Sequence, residues 1–171
     1  MKRKELVLGC GNKRVRILNE DNDSEFQNPT LVDIDPDCKP DLVYDLEKLP
    51  LPFKDNEFDE IHAYDILEHT GKQGDYKFFF EQFTDFHRML KPGGLLCGTC
   101  PNFDSKGAWG DPSHKRMING MTLLFLSQKA YEKAVGNTAM SDYRYIYKAD
   151  FDIRFLDTVK DRLAFVLEAV K

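Results

Sequence analysis

The sequence predicts an open α/β sheet, mostly parallel and closed along one edge by an antiparallel hairpin, with helices on both faces. Three observations carry that expectation. Short apolar runs bounded by Gly, Pro or Asp recur up to residue 101, a stripe with helical period separates the last two, and an alternating segment follows residue 150. Short continuous apolar runs suit parallel strands covered on both faces.

Taken in order, Glu5-Leu-Val-Leu8 is the first strand, ended by Gly9-Cys10-Gly11. Leu31-Val-Asp-Ile34 and Asp41-Leu-Val-Tyr44 follow, then Phe58 to Ala63, in which Phe58, Ile61 and Ala63 are apolar. The clearest helix runs from Asp75 to Leu90, since Phe79, Phe83, Phe86 and Leu90 fall on one stripe. Arg88 and Lys91 suit its C-terminal end, and Pro92-Gly93-Gly94 is expected to stop it before a fifth strand, Leu95 to Cys100. A second helix is expected over Leu123 to Val135, ending at Gly136. Phe151, Ile153 and Phe155 alternate through Asp150 to Thr158, and Lys160-Asp161 would turn the chain into a partner strand, Leu163 to Val170.

With 171 residues, the chain is expected to form one domain over residues 1–171. The 29 acidic residues outnumber 24 basic ones, so bulk binding to nucleic-acid phosphates is disfavoured. No apolar run approaches the ~18 residues of a membrane helix, and Leu6 to Gly9 is too short for a signal core. A cytoplasmic protein is expected. Cys97 and Cys100 have C-x-x-C spacing but would point to opposite faces of a strand, and no second pair completes a zinc site. No metal site is expected.

Ligands of an open α/β sheet sit beyond the carboxyl ends of its strands. There the two glycines of Gly9-Cys10-Gly11 allow a sharp turn and close backbone approach. Asp33 follows Gly11 by 22 residues, near the ~20 at which an acid meets ribose hydroxyls.

In order, Leu6-Val-Leu-Gly-Cys-Gly11, Leu31-Val-Asp-Ile-Asp-Pro36, Asp45 to Phe53 running into Asn56-Glu-Phe-Asp59, Ile66-Leu-Glu-His69 and Met89-Leu-Lys-Pro-Gly-Gly94 resemble the blocks of class I S-adenosylmethionine-dependent methyltransferases. The short bacterial and phage members are especially similar. The resemblance implies a Rossmann-like sheet, S-adenosylmethionine as cofactor, and a role for each matching residue. Gly9, Cys10 and Gly11 would pass under the methionine moiety. Asp33 would bind the ribose hydroxyls, with Ile34 against the adenine. Asp45 would meet the adenine amino group, and Leu46 would offer its amide to the ring. Ala63 and Tyr64 would line the methionine end, where an aromatic ring suits a sulfonium.

Val7 stands where many relatives place an acid, and Lys13 where they place a third glycine. Lys13 and the alternation Val15-Arg-Ile17 imply that the usual first helix is reduced or missing. Asn19 to Ser24 reads as an exposed acidic loop, and Lys13, Arg14 and Arg16 as solvated surface.

The acceptor is expected beneath Trp109-Gly-Asp-Pro-Ser-His114, a segment too irregular for a helix. His114 is the candidate base, and Trp109, Asp111 and His69 would meet the substrate. His62 and His87 read as structural. The acceptor itself, a small molecule or a macromolecule, is not legible, nor is the oligomeric state. A catalytically silent binding protein on the same plan is the alternative to an enzyme.

Overall fold

A computed structural model describes residues 3–18 and 24–171. The expected acidic loop at 19–24 therefore lies, apart from Ser24, outside the described residues. Seven strands form one sheet in the order β3-β2-β1-β4-β5-β7-β6: β1 (Glu5–Leu8), β2 (Pro29–Asp33), β3 (Leu42–Val43), β4 (Phe58–Tyr64), β5 (Leu90–Pro101), β6 (Asp150–Val159) and β7 (Arg162–Val170). β1 pairs in parallel with β2 on one side and β4 on the other, so Val7 faces both Leu31 and His62. That reversal of strand order opens a crevice at the carboxyl ends of β1 and β4. β7 inserts antiparallel between β5 and β6, as the terminal alternation predicted.

Helix α1 (Tyr76–Met89) starts where the Asp75 carboxylate accepts the amide of Phe78 at 3.1 Å. Phe79, Phe83 and Phe86 are buried along its stripe, with Phe80 and Met89 beside them. Full burial of such a side chain stabilises by roughly 1.5–3 kcal/mol, so this stripe holds α1 on the sheet. None of the helices of the described residues is long and apolar enough to cross a membrane.

Three expectations need correction. Pro92-Gly93-Gly94 does not separate helix from strand: β5 begins at Leu90, and pairing passes from Phe58↔Leu90 to Glu60↔Leu95. Residues 91–94 thus bulge against Asp59, where Pro92 needs no ladder donor and Gly93 takes φ +75°. The single helix expected at 123–135 is two, α3 (Gly120–Leu124) and α4 (Gln128–Ala134). Between them Ser127 caps α4, and the Leu126 carbonyl accepts Phe151 N at 3.0 Å, which ties the break to β6. Finally, Lys106–Gly110 forms α2, capped by Ser105, so Trp109 lies on a short helix.

The reduced first helix is observed: residues 12–18 carry no helix. The alternation there is inverted relative to an ordinary strap, since Val15 and Ile17 are exposed while Arg16 is 2% exposed. Arg16 is not solvated surface.

Candidate functional site

The turn after β1 is built on two left-handed glycines that serve different ends. Gly9 has φ +61°, and a Cβ there would lie 2.4 Å from Cγ1 of Ile66. Its missing side chain makes room for the protein's own Ile66. Gly11 has φ +50° and nothing within 4 Å of an added Cβ, so only its backbone conformation calls for glycine. The amide of Gly11 donates to Asp33 Oδ2 at 2.8 Å and that of Asp35 to Asp33 Oδ1 at 3.0 Å. Each carboxylate oxygen keeps a lone pair for a further donor. The Asp45 carboxylate turns back onto the amide of Glu47 at 3.0 Å.

Gly9, Asp33, Ile34, Asp45 and Leu46 line one cleft of ≈ 180 Å³, whose far wall includes Ile66, His69 and Thr70. Ile34 is 67% exposed at its edge, an apolar side chain with no protein partner for most of its surface. Four predicted contacts are not brought here, Gly11 among them. Cys10 is buried with Val7 and Leu31 in a small cluster, and Ala63 lies in the main core. The Tyr64 hydroxyl bonds His62 Nδ1 at 2.8 Å and the Leu18 amide at 3.1 Å. Strand alternation puts Tyr64 on the face of His62, opposite the core-facing Ala63.

A larger pocket of ≈ 880 Å³ opens beyond β4 and β5, lined among others by Asp65, Glu68, His69, Thr99, Asp111, His114 and Arg162. His69 borders both cavities. The 111–116 loop is strapped onto the turn after β4, since Lys115 N donates to the Glu68 carbonyl at 2.8 Å and Arg116 Nε to the Leu67 carbonyl at 2.9 Å. Arg116, 5% exposed, also reaches Thr70 at 3.0 Å and the buried Gln82. Burial lowers the Arg116 guanidinium to about 10, and the acidic groups around it offset part of that. This strap brings the His69 and His114 rings to 4.7 Å between centroids, at 74°.

Glu68, 2% exposed, has a carboxylate oxygen within 4.8 Å of a ring nitrogen of each histidine. Neither carboxylate oxygen has a hydrogen-bond partner, although the Cys100 thiol and its own amide act on it electrostatically. Burial pushes this carboxyl up to about 7; Asp65 adds to that rise and His114 opposes it. His114 Nδ1 lies 3.0 Å from the Ala108 carbonyl, an acceptor that requires N–H at that nitrogen and leaves Nε2 with a lone pair. His69 Nδ1 lies 3.1 Å from Ser113 Oγ, whose own proton goes to Asp111 Oδ1 at 2.5 Å. That chain likewise places the proton of His69 on Nδ1. The hydrogen bonds from Ser113 hold the Asp111 carboxyl below its usual range.

The pocket thus brings His69, Asp111 and His114 together and leaves Trp109 outside. Trp109 is 72% exposed and its indole donates to the Phe103 carbonyl at 2.7 Å. Its ring borders a separate shallow groove shared with Asp111 and His114. The sequence reading passed over Glu68, although it lies inside the quoted Leu-Glu-His block; only the burial of its side chain singles it out. It also passed over Asp65, at φ +49°, which accepts from Thr99 at 3.0 Å and pairs with Arg162 at 2.7 Å.

A protein-family profile described as a methyltransferase domain matches residues 6–98. No curated protein matches in sequence. Among solved structures, a SAM dependent methyltransferase from Archaeoglobus fulgidus aligns over 98% of this chain and 86% of its own, at 16% identity and TM-score 0.60. The N-methyltransferase NodS from Bradyrhizobium japonicum WM9, in complex with S-adenosyl-l-homocysteine, aligns over 99% and 79%, at 14% identity and TM-score 0.59. The [4+2]-cyclase SpnF aligns over 99% and 75%, at 16% identity and TM-score 0.55.

Proposed function

The chain belongs to the methyltransferase-domain family, and from that membership we propose that it transfers a methyl group from S-adenosylmethionine to an acceptor held between β4, β5 and the 105–114 segment. The observation that carries the reading is the pair of cavities meeting at His69, one walled by Gly9, Asp33, Ile34, Asp45 and Leu46, the other by Glu68, Asp111 and His114. Residues 1–171 are read as one such domain.

The first cavity fits the adenosine part of the cofactor. Asp33 is held by two backbone amides and retains acceptor capacity for ribose hydroxyls. The exposed face of Ile34 suits the flat adenine ring, with Asp45 and the amide of Leu46 at its edge. Ile66 closes the space over Gly9, so the methionine end would run past Ile66 toward His69. Bound there, the sulfonium presents an already activated methyl carbon for in-line displacement. The protein's part is alignment and exclusion of water. His114, its Nδ1 committed to Ala108, directs Nε2 toward the acceptor and takes a proton where the acceptor must lose one.

Replacing Asp33 by Ala should weaken S-adenosylmethionine binding by about 1–3 kcal/mol in a calorimetric titration, the scale of hydrogen bonds at a charged group. Unchanged affinity would remove Asp33 from the site. His114→Ala should slow single-turnover transfer about 10²–10⁴-fold at nearly constant cofactor affinity. The second reading, a protein of this fold that does not transfer methyl groups, is favoured by the similarity to a structure named as a cyclase. Cofactor binding without methylation of any acceptor in an extract would favour it.

A further inference from the structure

The geometry points to a divalent-cation site formed by Glu68, His69 and His114 at the floor of the larger pocket, with open positions facing the acceptor. One ligand atom from each of the three lies within 4.8 Å of the others. Two imidazoles and one carboxylate on one side of a cavity form the donor set of catalytic zinc and non-haem iron sites, which keep coordination positions free.

Three features separate this cluster from a chance grouping. The Glu68 carboxylate is buried and neither oxygen has a hydrogen-bond partner, an arrangement that costs stability unless something else neutralises it. Both histidines have Nδ1 engaged, His114 with the Ala108 carbonyl and His69 with Ser113 and through it Asp111. Outer hydrogen bonds of that kind fix the tautomer and orient the ring of a metal-ligating histidine. Neither Nε2 has a hydrogen-bond partner among the described residues; the closest recorded acidic oxygen to that of His114 is Asp111 Oδ2, at 3.8 Å. Ligand atoms around a cation with ~2.1 Å bonds stand roughly 3–3.5 Å apart, so modest side-chain rotation closes the set.

The expectation of no metal came from cysteine spacing. These ligands come from adjacent positions 68 and 69 and from 114, brought together only by the backbone strap at Lys115 and Arg116. Cation binding stands on these side chains alone. Its use, holding an acceptor oxygen and acidifying its proton so that solvent takes it, rests on the methyl-transfer reading; with the cation bound, His114 Nε2 is a ligand in place of the base described above.

The test is titration of chelator-treated full-length protein with Co²⁺, followed by its visible absorption. One equivalent should bind with the intense bands of a four- or five-coordinate site. Glu68→Gln, His69→Gln and His114→Gln should each weaken binding at least about 100-fold, the upper range for loss of an outer-shell partner alone. Cys38→Ser should leave the titration unchanged, which separates this site from thiol binding. Circular dichroism melts establish that each variant is folded, and Zn²⁺ should raise the melting temperature of the parent but not of the three. No binding to the folded parent, or equal binding by folded Glu68→Gln and His114→Gln, overturns the site. Asp33→Ala should lose S-adenosylmethionine affinity with the Co²⁺ titration intact. Absence of Co²⁺ binding in a protein that still binds S-adenosylmethionine therefore overturns the cation site and not the methyl-transfer reading.

Discussion

Two buried clusters of carboxylate and histidine flank β4, and they are finished in opposite ways. On the side covered by a second strap, residues 12–18, Glu60 is met by Arg3 at 2.6 Å, by Arg16 at 2.8 Å and by His62 at 3.0 Å. Glu5 accepts the amides of Gln27 and Asn28 at 2.6 and 3.1 Å, with Arg16 Nε 3.7 Å from its other oxygen. Two guanidiniums there answer two carboxylates, and the His62 ring is spent on Glu60 and Tyr64. On the pocket side, Glu68 has no such partner, and both neighbouring imidazoles keep a free nitrogen. Similar residue types at similar burial thus give an ion-paired cluster in one place, with only Glu5 Oε1 of its carboxylate oxygens left without a hydrogen bond, and in the other a carboxylate with neither oxygen bonded. The difference is that guanidiniums bond Glu60 directly, whereas Arg116, the cation near Glu68, is committed to the Leu67 carbonyl, Thr70 and Gln82. The unbonded carboxylate lines the pocket in which chemistry is proposed.

The comparison breaks or sharpens with four measurements. Arg16→Met should cost about 3–5 kcal/mol in denaturant unfolding, because it leaves buried carboxylates without their main partner. A cost below about 1 kcal/mol would mean that the strap cluster is not charge-balanced as described. Next is its pH response. Burial alone would raise the Glu60 carboxyl, but hydrogen bonds from His62, Arg3 and Arg16 pull it from its ordinary 4.5 down to about 2. A group depressed on folding contributes stability above its unfolded value and loses it as pH falls through the folded one. That contribution, about 3 kcal/mol, should be present above about pH 4.5 and disappear toward pH 2. A carbon NMR titration of Glu60 with its midpoint near 4.5 would contradict it.

On the pocket side the sign reverses. In metal-free protein at pH 8, Glu68→Gln should be neutral or stabilising by about 1 kcal/mol, since it removes a buried charge that lacks a partner. A loss of several kcal/mol would show that Glu68 is satisfied after all. Smallest is Ser113→Ala, expected to change stability by less than about 0.5 kcal/mol as a surface substitution. Nitrogen NMR should nevertheless show His69 losing its fixed Nδ1–H tautomer, while His114, anchored on Ala108, keeps its own.

Local signals account for much of the fold. The short apolar runs gave β1 to β4 because a parallel strand buries both faces and must be apolar throughout. The Phe79–Phe83–Phe86 stripe gave α1, and the Phe151–Ile153–Phe155 alternation gave the terminal hairpin, because helix and strand periods are written in nearest neighbours. Misplaced boundaries were those set from outside the segment. β5 runs through Pro92-Gly93-Gly94 because β4 tolerates a bulge there, and the helix expected at 123–135 breaks because Leu126 is tied to β6.

The adenosine side of the candidate site was legible for the same reason: a glycine turn and a distal acid are each a local backbone requirement at a strand end. The family resemblance pointed to Asp33, Ile34, Asp45 and Leu46, which line one cleft, and the sequence singled out His69, Asp111 and His114, which line the larger pocket. Only tertiary structure decided which charges are answered. Arg16 reads as a surface cation and Glu68 as a letter in a motif. One is buried on Glu60 from 44 residues away, and the other is enclosed without a hydrogen-bond partner by the backbone bonds of residues 115–116. Burial and pairing are sums over contacts distant in sequence, and no spacing along the chain encodes them.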